Sequence, residues 1–198
     1  MGVWICAVLA LASVSAGQSN TYRLSTLAST LALAAQTAPL EYQAKAAFLF
    51  NFTKFIEWPQ TAFAGRESPF RICIAGDSPF EDSLVKDSLV KIVEGERVNS
   101  RPFVVEKLGR EEPAAHCQIV FFGASGGSVQ ETIPRLGPGV LTVGESDDFL
   151  RNGGVIRFVS DNRRVRFDVN QAAAKRANLR ISSRLLRIAR EVENGGGR

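Results

Sequence analysis

The chain has one histidine, one methionine and three cysteines in 198 residues, a thin supply of chemistry-bearing side chains. C-x-x-C, H-E-x-x-H and a second imidazole are all missing, so no common zinc ligand set is complete. His116 and Cys117 are adjacent ligand types with nothing in the sequence to join them, and His116 reads as a strand-end surface residue. Gly123-Ala124-Ser125-Gly126-Gly127 fits the nucleophile-elbow pattern, but a hydrolase of that kind needs a histidine after the serine, and His116 comes before it. Along an extended strand the two would stand on the order of 20 Å apart. The same glycine-rich run lacks the lysine of a P-loop and the full G-x-G-x-x-G pattern. No catalytic residue, metal site or cofactor is therefore assigned.

Basic recognition helices, zinc-finger spacings and aromatic–basic RNA motifs are also missing, which excludes nucleic acid as the expected partner. Neither apolar run near the N-terminus reaches the length of about 20 residues that a membrane span needs. The first of them, MGVWICAVLALASVSA, reads as a secretory leader with Val14 and Ala16 at the −3 and −1 positions, although its start carries no Lys or Arg. A second run, Leu24 to Ala35, makes cleavage near 35–38 the alternative. No lipobox precedes Cys6. A periplasmic protein is expected, with one domain over 40–192 and a flexible tail over 193–198.

What is present is ordinary globular material, 45% hydrophobic and 22% charged. The net charge of +4 is unevenly spread: residues 151–198 hold 12 of the 24 basic residues and 4 of the 20 acids. That quarter is +8 and the remainder −4, a balance suited to an acidic partner or to a solvated basic face.

Short apolar runs at Phe70–Ala75, Pro102–Lys107, Cys117–Phe122 and Val140–Val143 alternate with helical segments. This predicts an α/β fold, a largely parallel sheet flanked by helices. Val155–Ser160 and Arg164–Val169 alternate around Asp161-Asn162-Arg163, predicting an antiparallel hairpin near the C-terminus. Asn170 suits the N-cap of one helix, Ser182 or Ser183 that of a last one, and a short helix is expected near Phe149.

The stretch Tyr42–Pro59 predicts an amphipathic helix ending at Trp58, with Ala44, Ala47, Phe48, Phe52, Phe55 and Trp58 on one face and Asn51 in its middle. Leu49 and Ile56 widen that apolar arc, and Phe50 lies on the far side near Thr53 and Glu57. Leu49, Phe50 and Ile56 are either covered by the domain itself or offered to a partner, and they are the candidate contact residues.

Three strand-to-helix turns share the form Gly-x-Ser: Gly76-Asp77-Ser78, Gly123-Ala124-Ser125 and Gly144-Glu145-Ser146. In a parallel sheet they fall at the carboxyl edge, where open α/β sheets bind ligands. Gly76, Asp77, Ser78, Gly123, Ser125, Gly126, Gly144 and Ser146 are thus candidates for an anion or small-molecule edge, with helix capping as the simpler role. Once a leader is removed, Cys73 and Cys117 form an even pair bound for an oxidising compartment. A disulfide and two buried thiols both fit the two apolar runs that carry them.

Two stretches together resemble the YfiR family of exported bacterial proteins. They are EYQAKAAFLFNFTKFIEWP leading into FRICIAGDSPF, and LTVGESDDFLRNGGVIRFVSDNRRVRFDVNQAAAKRANLRISSRLLRIAR. The resemblance implies a periplasmic α/β protein that binds the outer domain of a membrane-anchored diguanylate cyclase or related sensor. Binding would repress the enzyme and keep cyclic-di-GMP low. It supplies no catalytic residue. It also implies a strand-to-strand bridge between Cys73 and Cys117; the second cysteine pair of some members is missing, so any redox control would rest on one bond. A homodimer and a small ligand stay open.

Overall fold

A computed structural model describes residues 40–76, 78, 80, 89–109, 114–123, 129–162 and 164–194. The leader and both of its cleavage alternatives lie outside these residues. Ala38–Arg198 forms one compact unit.

In chain order the elements are helix α1 (40–55), β1 (Ile56–Glu57), β2 (Phe70–Ala75), α2 (89–93), β3 (Arg97–Val98), β4 (Arg101–Leu108), β5 (Ile119–Phe122) and α3 (Val129–Thr132). They continue with β6 (Leu141–Gly144), β7 (Ile156–Asp161), β8 (Arg164–Asn170), α4 (Gln171–Arg176), β9 (Arg180–Ile181), α5 (Ser183–Ile188) and β10 (Glu191–Glu193). Eight strands form one sheet in the order β10-β8-β7-β6-β5-β2-β4-β3. The sheet is mixed. Pairs β2–β4, β2–β5, β5–β6, β6–β7 and β8–β10 are parallel, whereas β7–β8 and β3–β4 are antiparallel. The expected hairpin is β7–β8, with Phe158 opposite Phe167. Strand order reverses between β2 and β5: β4 joins β2 on one side, and the chain then returns to the other.

The central strands are buried on both faces, which is why they read as continuous apolar runs. Alternate residues supply two cores. Phe70, Ile72 and Ile74 of β2 join Phe121, Val143, Phe158 and Phe167 beneath α1. Cys73, Val120 and Phe122 face the opposite side, with Phe149 and Leu150. Asn170 caps α4 by accepting from Ala173 N at 2.9 Å, and Ser182 caps α5 from Leu185 N. Each such cap contributes about 1 kcal/mol. Asn178 takes the left-handed conformation (φ 56°) just past α4.

Several expectations are corrected. The helix ends at residue 55, not at Trp58, because Ile56 and Glu57 pair with Ile181 and Arg180 as a two-stranded ribbon. Trp58 then donates Nε1–H to Gln118 O at 3.2 Å and packs edge-on against Phe70. The residues near Phe149 form turns rather than a helix. Glu193, assigned to the tail, belongs to β10.

The buried stripe of α1 is also not the one hydropathy selects. It runs through Tyr42, Lys45, Ala46, Leu49, Phe50, Phe52 and Thr53. Ala44, Ala47, Phe48 and Phe55 are half-buried on a flank, and Asn51 is exposed. A lysine at the centre of a packed stripe is invisible to a hydrophobic pattern, since its burial depends on acids supplied from elsewhere.

Candidate functional site

Three regions among the described residues hold the candidate residues. The first is the carboxyl edge of the sheet. Gly76 follows β2 with a positive φ of 71°, which favours glycine there. Ser78 is buried and accepts from Phe80 N at 3.2 Å, a local turn bond. Gly123 follows β5 and is buried, while Asp77, Ser125 and Gly126 lie outside the described residues. Gly144 ends β6 because the Phe149 ring occupies the space a Cβ would need. Ser146 O accepts from Phe149 N at 3.0 Å.

Next to Gly144 stands Glu145, its side chain 8% exposed. The start of α1 covers it. Tyr42 donates its hydroxyl to Glu145 Oε2 at 2.8 Å, and Lys45 Nζ lies 2.8 Å from Oε1 and 2.6 Å from Glu41. Glu145 Oε1 has no aligned hydrogen-bond donor among the described residues, so its attraction to Lys45 is Coulombic. Burial, followed by the charge of Glu145, pushes the Tyr42 phenol well above its ordinary range, so it acts as a neutral donor. Burial would raise Glu41, but the hydrogen bonds from Lys45 and Ser160 outweigh it and lower the group. The lysine here is committed to two carboxylates, and the strand end is filled by the protein's own side chains. Sequence reading placed Glu145 at this edge but missed Tyr42 and Lys45, the groups that close it.

The second place is α1 itself. Leu49 is fully buried, Ile56 is 5% exposed and Phe50 is 8% exposed. Phe50 packs edge-on against Phe103 of β4, and Lys54 lies over its ring at 4.1 Å. The helix is covered on two sides, so the candidate contact residues form part of the core of this unit.

The third is the disulfide. Cys73 and Cys117 are bonded, with Cα atoms 6.0 Å apart and a separation of 44 residues. Closing that loop contributes about 4 kcal/mol on the chain-entropy account. Parallel register sets Glu106 of β4 directly beside Cys73 of β2. Glu106 Oε1 meets His116 Nε2 at 2.7 Å and Cys73 Sγ at 3.5 Å, while Oε2 pairs with Arg71 at 2.9 Å. Glu106 was not singled out from sequence, because a strand register between distant segments leaves no local spacing.

A family model described as YfiR/HmsC-like matches residues 42–190. The chain belongs to the YfiR/HmsC-like family. Among solved structures, a conserved domain protein from Vibrio cholerae O1 biovar El Tor strain N16961 is similar, at a TM-score of 0.43 and 10% identity. The match covers 62% of this chain and 54% of that one, so this chain spans little more than half its length. No curated protein matches.

This YfiR/HmsC-like chain presents its excess positive charge around α4 and α5. Lys175, Arg176, Arg180, Arg184 and Arg187 are exposed, and Ile188 among them is 57% exposed. Arg157 and Arg190 instead turn inward to one carboxylate, Asp168, whose side chain is 1% exposed. Arg190 grips it with two bonds, Nε to Oδ1 at 2.8 Å and Nη2 to Oδ2 at 2.7 Å, and Arg157 adds a third at 2.8 Å. The clamp ties the last segment of the family domain to the β7–β8 hairpin.

Burial alone would raise the Asp168 carboxyl, but hydrogen bonds and charge from Arg190 and Arg157 outweigh it and hold the group below its usual range. Folding therefore favours the carboxylate. The clamp's contribution is whole above the unfolded aspartate value of about 4 and is lost as pH falls through the lowered native one. Urea midpoints measured from pH 7 down to pH 3 should fall in the wild type, with a flatter acid limb in Asp168→Asn. Parallel curves for the two proteins would remove the clamp from the acid response.

Proposed function

We propose that the protein is a periplasmic regulator that binds the outer domain of an inner-membrane diguanylate cyclase, or a related membrane sensor, and represses it. The family match over residues 42–190 carries this reading. The Cys73–Cys117 bridge supports it, since structural disulfides belong to oxidising compartments. Among the described residues no helix is long and apolar enough to cross a membrane. The protein acts by binding rather than catalysis: it holds the cyclase inactive by binding one conformation of the outer domain more tightly than the other.

The contact face we favour is the exposed basic surface of α5 rather than α1, whose large side chains are already packed. Arg184 and Arg187 lie there beside Ile188, an apolar group with a cationic rim. The test is co-purification with the periplasmic domain of a co-encoded membrane cyclase. Wild-type protein should be retained, and Arg184→Glu with Arg187→Glu should weaken retention by at least about tenfold without loss of folding. Wild-type protein that associates with no co-encoded membrane sensor would sink the reading. Retention unchanged by the double reversal would move the contact away from α5.

A further inference from the structure

We infer that reduction of the Cys73–Cys117 bridge creates a zinc site made of both thiolates, His116 and Glu106. Ligand atoms of these four residues all lie within 4.8 Å of one another. A tetrahedral zinc with bonds of about 2.0–2.3 Å sets its ligand atoms roughly 3.3–3.8 Å apart. One measured pair falls inside that range and one falls short of it. Cys73 Sγ and Glu106 Oε1 are 3.5 Å apart, and His116 Nε2 and Glu106 Oε1, at 2.7 Å, need only a small separation. The two sulfurs, bonded in the oxidised form, must part by a side-chain rotation.

The surroundings suit the ion. Cys73 and Cys117 are buried, whereas the Glu106 and His116 side chains are 28% and 46% exposed, so the site is dry on one side and reachable from the other. Glu106 uses different oxygens for its two tasks. Oε1 faces the sulfurs and the imidazole, and Oε2 is held by Arg71 at 2.9 Å. Two thiolates, one carboxylate and Zn²⁺ leave the centre one negative charge in excess, which the Arg71 guanidinium offsets. A ligating carboxylate steadied by a second group is the usual arrangement around bound zinc.

The chemistry balances with a dithiol as reductant. Thiol–disulfide exchange breaks the Cys73–Cys117 bond, the reductant's two thiols become its own disulfide, and two electrons and two protons pass to the protein. Zinc then displaces both thiol protons to water. A disulfide oxidant reverses the exchange: it is reduced to two thiols, the Cys73–Cys117 bond forms again, and Zn²⁺ is released to water. The same residues therefore hold either a covalent bridge or a metal bridge, and zinc would protect the reduced form from reoxidation.

The experiment uses the full mature chain, oxidised and reduced, titrated with Zn²⁺ and separately with Co²⁺. One zinc per reduced chain is expected by native mass spectrometry, with none retained by the oxidised chain. Cobalt should give thiolate charge-transfer absorption and the intense visible bands of a tetrahedral site. His116→Ala and Glu106→Gln alter partly exposed side chains, and each should weaken zinc at least about tenfold in the reduced protein. Cys73→Ser with Cys117→Ser should abolish binding. Equal binding by oxidised and reduced chains overturns the inference, as does an affinity and cobalt spectrum unchanged in His116→Ala. A reduced chain that unfolds and is not restored by zinc overturns it as well.

Discussion

Lys45→Met should destabilise the protein by about 3–5 kcal/mol, the usual loss when one partner of a buried ion pair is removed. Lys45 is 4% exposed and stands between Glu41 and Glu145. Methionine keeps the volume of the stem but leaves the Glu145 carboxylate buried with Tyr42 as its one remaining close donor among the described residues. Adding Glu145→Gln should recover much of the loss, because the second change removes the stranded charge. Chemical denaturation of both single variants and the double variant closes the cycle. A Lys45→Met protein within about 1 kcal/mol of wild type would mean that the pair is wetter than its burial implies, as in an exposed ion pair.

Phe50→Asp should abolish the native fold or leave it barely populated. Truncating a buried phenylalanine costs about 3–5 kcal/mol by itself, and a carboxylate in its place must also be desolvated. The site is bounded by Phe103 on one side, and Lys54 lies over the ring at 4.1 Å, a cation on an exposed part of the helix. Against a total stability of about 5–15 kcal/mol for a typical domain, the loss is most or all of what is available. Circular dichroism and urea titration decide it. A Phe50→Asp variant that folds with a wild-type midpoint yet no longer binds a partner would return Phe50 to the contact surface.

The contrast between these residues shows what sequence can reveal. The hairpin was legible in the alternation of Val155–Val169, the cap at Asn170 in its side chain, and the last cap to within Ser182 or Ser183, of which the fold uses Ser182, because each signal is local. The boundaries of β2 followed from an apolar run closed by glycine, whereas β6 lies one residue later than its apolar run Val140–Val143. The packed face of α1 was not legible. Its centre includes Lys45, whose acid Glu145 sits on β6's end, and a hydrophobic count gives such a residue to solvent. Strands β1, β9 and β10 are too short to show a period. Glu106 escaped notice for a related reason, since only the β2–β4 register brings it to Cys73.

The bonds that hold α1 have a consequence for the time course of folding. Tyr42 reaches an acid 103 residues later in the chain, Glu41 meets Ser160 at a separation of 119, and Ile56 pairs with Ile181. During vectorial synthesis or threading, the first described element emerges with its partners still unmade. Its cover stays incomplete until the hairpin and β9 arrive, because Phe48 and Phe52 pack on Phe158 and Phe167. Such non-local closure slows folding relative to a helical bundle and keeps an apolar helix bare for longer. A nascent chain stopped before residue 156 would therefore display Phe48, Phe52 and Phe55 to whatever holdase waits beside it.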